Sequence, residues 1–428
     1  MQQSVRQAGV AAVRLRHHDR ARDAWPLDPA VVHLNHGSFG AVPSEVVQYQ
    51  DSLRAAADRN PVGWFPSVPE HVAAARGEIA PFIGARAEDL AFVPNASAAA
   101  TVVYNSLRLA AGDEILVTDH GYGAITMGAH RLARRFGAHV RTVEIPLLAG
   151  DEEVLARFAA ATTDRARLIV VDQITSPTAR RFPVAQITAQ AHRSGVRVLV
   201  DGAHAPGLIE APARCGQPDW WFGNLHKWPC APRGAAVLVS AADDRDELWP
   251  LIDSWGAAEP FPARFDTQGT LDATSYLAAP RAIAWVEREY RWAAARETMA
   301  ELVDRGAAII GEAIAPYLEE EPVVDLTAPV PSMRLVRMPD SLAESREAAD
   351  GLRDVLFSEA GVEAAFTTFR SRPYLRLSAH LYNEEADFHR FVERALPLVL
   401  EACGAASLPT PAHNPSHFDP HTLEGEDS

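Results

Sequence analysis

Val200-Asp201-Gly202-Ala203-His204 and, further along, Gly223-Asn224-Leu225-His226-Lys227-Trp228 decide how this chain is read. A carboxylate and a lysine stand at the ends of two consecutive predicted strands. Open α/β sheets gather ligands there, because the loops leaving the carboxyl ends of strands converge on a crevice. A lysine in such a place can condense with an aldehyde, and an aspartate can keep a pyridine nitrogen protonated so that the ring accepts electrons. Asp201 and Lys227 therefore suit pyridoxal 5′-phosphate (PLP) chemistry. Single Asp and Lys residues are ordinarily solvated charges, so the surrounding pattern has to carry the assignment.

That pattern is α/β. Short apolar runs recur at Leu90 to Val93, Glu114 to Val117, Leu168 to Val171, Val196 to Val200 and Ala235 to Val239. The run Leu168-Ile169-Val170-Val171 has no polar alternation, which predicts strands covered on both faces in a mainly parallel sheet. Ala98 to Leu109 and Val184 to Arg193 have helix-favouring composition, with Asn95 or Ser97 able to cap the first. A long helical stretch from Ser275 to about Ile314 is expected to bridge two domains. Beyond it, apolar stretches at Met333 to Val336 and Leu375 to Leu377, with helices around Arg346 to Ala360 and Glu384 to Cys403, predict a smaller α+β domain. The expected division is an N-terminal arm (1–26), a large domain (27–270) whose first segment packs on the small one, a bridging helix (271–314), a small domain (315–403) and a disordered tail (404–428).

Composition narrows the class of partner. The 428 residues carry a formal charge of -16 and a pI of about 5.5, which argues against a nucleic-acid or anionic-membrane surface and for a small-molecule substrate. No stretch approaches the roughly 20 apolar residues of a membrane span, and the first residues lack the apolar core of a secretory signal. Cys215, Cys230 and Cys403 form neither a metal-ligand pattern nor a disulfide framework, which suits a reducing, cytoplasmic setting; no metal site is assigned. Phosphate-loop, HExxH and dinucleotide-binding glycine motifs are absent.

Leu34-Asn35-His36-Gly37-Ser38-Phe39-Gly40, Asp119-His120-Gly121-Tyr122-Gly123-Ala124, Ser176-Pro177-Thr178, Asp201 to Gly207, Asn224 to Trp228 and Leu375-Arg376-Leu377-Ser378-Ala379 follow one another in order. Together, from about Leu27 to about Leu400, they resemble the class V aminotransferase family of fold-type I PLP enzymes, in its isopenicillin N epimerase-like branch. Cysteine-conjugate C-S lyases and lincosamide-pathway PLP enzymes are related to that branch. The chain departs from the pattern at Ser176-Pro177-Thr178-Ala179, where relatives commonly have glycine last, and at Asp172-Gln173.

The resemblance implies PLP as cofactor and a role for each matching residue. Lys227 would form the Schiff base and move the Cα proton, and Asp201 would face the ring nitrogen. Asn95, Ala96 and Ser97, at the start of a helix whose free N–H groups and dipole favour an anion, would cradle the phosphate together with Asn224 and His226. Thr270 would reach the phosphate from the neighbouring subunit of a homodimer. Tyr122 would stack on the ring, while His204 and Thr175 would lie near its phenolic oxygen. Arg376 would grip the carboxylate of an amino-acid substrate, with Asn35, His36 and Ser38 edging the pocket.

These residues are compatible with several outcomes at Cα. The favoured expectation is β-elimination from an S-substituted L-cysteine by a C-S lyase. Epimerisation, decarboxylation with oxidative deamination, and a non-catalytic PLP-binding relative are the alternatives.

Overall fold

The computed structural model describes residues 22–404 apart from 241, 243 and 343–345. The first 21 residues of the expected arm and residues 405–428 of the expected tail lie outside the described residues. A seven-stranded sheet forms the centre, in the order β2 (Leu90–Val93), β8 (Ala236–Ser240), β7 (Trp220–Asn224), β6 (Arg197–Asp201), β5 (Ala166–Asp172), β3 (Glu114–Thr118) and β4 (His139–Val143). All neighbours are parallel except at β8, which runs antiparallel to β2 and β7.

The apolar runs are continuous because both faces are covered. Leu168, Val170, Leu199 and Phe222 pack into a core with α3 (Ala96–Ser106) and α4 (Gly123–Phe136). Ile169, Val171, Val198 and Val200 face the other way, toward α1 (Ser44–Arg59) and α2 (Val68–Ile83), α5 (Asp151–Ala161), α6 (Val184–Arg193) and α7 (Thr274–Tyr290). The period of two along each strand thus fixes which residues share a face. Asp172 and Asp201, the last residues of β5 and β6, keep the parity of Val170 and Leu199 and so lie on the α3 and α4 side.

The expected single bridging helix is two helices, α7 and α8 (Trp292–Ile314), broken at Arg291. Arg291 has φ 63°, a left-handed value that ends the first helix, and its N–H donates to the Glu287 carbonyl. The Glu287 carboxylate then accepts from the Trp292 N–H at 3.0 Å and starts the second. Neither glycine nor proline marks this break, so composition does not show it.

Beyond α8, β9 (Met333–Arg337), β11 (Phe366–Phe369) and β12 (Arg372–Ser378) make an antiparallel sheet in the order β11-β12-β9, packed with α8 and α9 (Arg346–Ala360). The first strand, β1 (Val32–His33), pairs in parallel with β10 (Val362–Glu363), so the segment that carries Asn35 and Ser38 is tied to the C-terminal half. The last helical stretch is interrupted by a π turn at Phe391–Ala395, just before Pro397, whose missing N–H cannot continue the α-helical ladder.

Candidate active site

The cavity lies at the carboxyl ends of β5, β6 and β7, walled by Ser38, Phe39, Asn95, Ala96, Ser97, Tyr122, Asp172, Ser176, Asp201, Ala203, His204, Asn224, His226 and Lys227. Lys227 follows β7, and its Nζ is 2.9 Å from His204 Nε2. Burial of the amine, helped by the nearby Arg376 guanidinium, pulls its pKa down to about 7, against the opposing pull of Asp201 and Asp172. The His204 imidazole is held well below its ordinary value by burial and then by the cations Lys227 and Arg376. Its buried Nδ1 has no hydrogen-bond partner among the described residues.

Asp201 closes the floor. Burial raises its pKa to about 6, while the Ala203 N–H, donating to Oδ1 at 2.8 Å, and Lys227 favour its charged form. Asp172 is its Cα partner on β5, and burial followed by the charge of Asp201 pushes that carboxyl well above the usual range.

At the start of α3, Asn95 Oδ1 accepts from the Ala98 N–H at 2.9 Å and Asn224 Oδ1 accepts from the Ala96 N–H at 3.0 Å. The two amide side chains fix this helix end against β7. They leave the Ser97 hydroxyl and N–H as donors of the first turn that neither cap engages. His226 lines the same wall, with Nδ1 bonded to the Ala235 carbonyl at 2.9 Å, and burial lowers its pKa to about 4. Tyr122, the residue before α4, is 43% exposed at the mouth.

Arg376, on β12, is buried behind this wall. Nη1 donates to the Ser176 carbonyl at 2.9 Å and to its hydroxyl at 3.0 Å; Nη2 donates to Asn35 Oδ1 and Ser38 Oγ, each at 3.0 Å. The bonds to Asn35 and Ser38 hold the guanidinium against the turn His36–Phe39.

Two of the expected residues stand elsewhere. Thr175 is fully buried, its hydroxyl bonded to Thr178 Oγ1 at 2.6 Å and to the Arg180 backbone, so the tight turn after β5 directs Ser176 rather than Thr175 into the wall. His36 is turned under the Lys227 segment, with Nε2 bonded to the Lys227 carbonyl at 3.1 Å and its ring stacked on His380 at 4.0 Å. Thr270, expected to reach a neighbouring subunit's phosphate, is exposed and does not line this chain's own cavity.

Asp172 and Ser176 are wall residues that sequence reasoning did not assign. The period of two gives Asp172 its face on β5, but only the pairing of β5 with β6 puts it beside Asp201. Its neighbour Gln173 points away, accepting from Trp221 Nε1 and donating to the Pro212 carbonyl.

Cys230 lies with His36 and His380 in a buried trio whose ligand atoms are within 4.8 Å of one another. The stacked imidazoles bond Tyr382 and the carbonyls of Lys227 and Trp228, which makes the trio a brace for the Lys227 loop. Among the described residues no helix is long and apolar enough to cross a membrane.

A buried amine, a carboxylate floor, donors at a helix amino end and an aromatic at the mouth form a donor set that fits an aldehyde-bearing pyridine phosphate. Residues 33–315 match the Aminotransferase class-V family. Isopenicillin N epimerase of Amycolatopsis lactamdurans is 32% identical over 394 residues, covering 87% of this chain and 96% of the relative. Putative L-cysteine desulfhydrase 1 of Oryza sativa subsp. japonica is 26% identical over 443 residues, covering 95% and 89%. The solved complex between the cystine C-S lyase C-DES and its reaction product cysteine persulfide shares the fold, with a TM-score of 0.70 at 20% identity over 85% of this chain and 97% of that one. The chain belongs to the class V aminotransferase family, a PLP-dependent enzyme related to isopenicillin N epimerases and cysteine desulfhydrases.

Proposed function

We propose that this enzyme catalyses β-elimination from an S-substituted L-cysteine, cleaving the Cβ–S bond. The observation that carries the reading is Lys227, an amine with a pKa of about 7 bonded to a neutral His204 in the wall of the cavity. β-Elimination needs one group to take the Cα proton and pass it to the leaving sulfur, and an amine poised near neutrality suits both halves. Bound in this cavity, the cofactor supplies the electron sink for the bond broken at Cα.

In this reading the Arg376 guanidinium is the cation for the substrate carboxylate, which would take over terminal N–H groups that now bond Ser176, Asn35 and Ser38. Asp201 faces the ring nitrogen, Asn95, Ala96, Ser97, Asn224 and His226 surround the phosphate, and Tyr122 covers the ring. Lys227 takes the Cα proton and returns it to sulfur, which departs as a thiol. The released 2-aminoacrylate adds water to give pyruvate and ammonia.

Epimerisation is the second reading. It is favoured by the similarity to isopenicillin N epimerase and by Tyr122, which leaves β3 while Lys227 leaves β7, with β5 and β6 between them. Inversion needs a second proton-transfer group opposite the lysine. The group at that end is a half-exposed phenol at the mouth, where bulk water competes for its proton.

Incubation with S-substituted L-cysteines in deuterated water decides between them, with Lys227→Ala as control. Lysine-dependent pyruvate and thiol support the lyase; deuterium at Cα with inversion and no pyruvate supports the epimerase.

We also infer a homodimer. Trp249, Leu251, Ile252 and Leu271 are partly exposed and Trp255 is 96% exposed, all in the segment that carries Thr270. A second copy over this face would shield them and bring Thr270 toward a neighbouring phosphate site. Three free cysteines support a cytoplasmic setting. Sedimentation at micromolar concentration tests the dimer.

A further inference from the structure

Asp172 has no part in the roles assigned above, yet it is only 5% exposed and lines the cavity. Its position is fixed by the ladder: β5 and β6 are parallel neighbours with Asp172 opposite Asp201, and the Gln173 N–H donates to the Asp201 carbonyl at 2.7 Å. Both side chains fall on the α3 and α4 face, so two carboxyls share one floor.

From the other side, the Asp172 carboxyl faces the backbone N–H of Tyr122. A Cβ added to Gly121 would lie 3.7 Å from an Asp172 oxygen. The Gly121-Tyr122 segment is otherwise turned by the Gly121 N–H donating to the Thr118 carbonyl and by the Tyr122 carbonyl starting α4.

We propose that Asp172 is a positioning residue for the cofactor. Its carboxyl holds the Tyr122 turn over the mouth, and it forms the uncharged half of a two-carboxyl floor whose single negative charge stays on Asp201. Burial and the charge of Asp201 outweigh the Tyr122 N–H and the Lys227 amine, which favour the charged form of Asp172. Asp201 on β6 opposes a second charge, the Lys227 amine beyond β7 is too weakly basic to neutralise two, and the Tyr104 phenol on α3 is kept protonated by burial and both acids. Two adjacent buried carboxylates cannot both ionise cheaply, so the acid that lacks the stronger cationic partner takes the proton. The pyridinium would be that partner for Asp201. The inference rests on PLP seating in this cavity, which the absorbance of the wild-type holoenzyme checks separately.

Two variants of the full chain test it. Asp172→Asn keeps shape and an acceptor without charge, whereas Asp172→Leu removes the acceptor. In the holoenzyme at neutral pH, infrared spectra of wild type should show a neutral carboxylic acid band that Asp172→Asn loses. In the holoenzyme, Asp172→Asn should keep the wild-type pH midpoint of the cofactor absorbance, and Asp172→Leu should lose the circular dichroism of the bound cofactor. A midpoint displaced by about one unit or more in Asp172→Asn would mean that a charge was removed and would overturn the proposal. So would an unchanged infrared band, or wild-type cofactor dichroism in Asp172→Leu. If Asp172→Leu does not fold, Asp172→Asn still decides the charge.

Discussion

Lys227 Nζ and His204 Nε2 lie 2.9 Å apart, joining the end of β7 to the loop after β6. With the imidazole held well below its ordinary pKa, the two nitrogens can share one hydrogen bond as donor and acceptor rather than stand as opposed cations.

The first prediction follows from the burial of that amine. Its pKa in the folded protein is about 7, against 10.5 for an ordinary lysine. Between these values the unfolded chain holds a proton that the folded chain lacks, so this group makes the cofactor-free protein gain stability as pH rises through the window. Below about 7 it destabilises the fold by a few kcal/mol at most. Lys227→Met should therefore be more stable than wild type at pH 6.5, with the difference shrinking toward pH 10, as read by urea denaturation. A difference independent of pH would show an ordinary lysine.

Asp201→Asn should fold, because the amide oxygen can still accept from the Ala203 N–H. On the proposed role of Asp201 opposite the ring nitrogen, losing a charge-assisted bond of about 1.5–3 kcal/mol should lower kcat about 10- to 100-fold. The folded pKa of about 6 lies above 3.8, so the wild-type carboxyl costs stability progressively as pH rises between these values, and the variant should lose that dependence. Wild-type kcat in the variant would remove Asp201 from the electron sink.

Arg376→Lys keeps a positive charge but loses the planar fork that Asn35 and Ser38 aim. The expected result is a fall in kcat/KM of about 10- to 100-fold, carried mainly by KM. Competition by simple amino acids should weaken in parallel. An unaltered KM would place carboxylate recognition elsewhere.

At the break between α7 and α8, Arg291 holds φ 63° and ψ 125°, a region that glycine enters with little strain. Arg291→Gly should stabilise the protein by about 1 kcal/mol, read from the denaturation midpoint, because the exposed ion pair to Glu287 contributes little. Destabilisation would show that the side chain, not the backbone, sets the break.

How far the sequence reached varied by element. The cavity gathers Asp201, His204, Asn224, His226 and Lys227 because apolar runs with period-two parity place their loops at strand ends, a local property. The break at Arg291 is hidden because an arginine in a left-handed backbone leaves no compositional mark; only the backbone angle and the Glu287 cap reveal it.

The sequence by itself determined the α/β class, the placing of Asp201 and Lys227 at strand ends, and the order of motifs, since these depend on hydrophobic periodicity and residue type along the chain. Tertiary structure alone decided that Ser176 rather than Thr175 enters the wall, that His36 braces the Lys227 loop, and that Asp172 shares a floor with Asp201. Those placements depend on strand order, register and the path of turns, which bring residues far apart in the chain within hydrogen-bonding distance and are set by packing of the whole core.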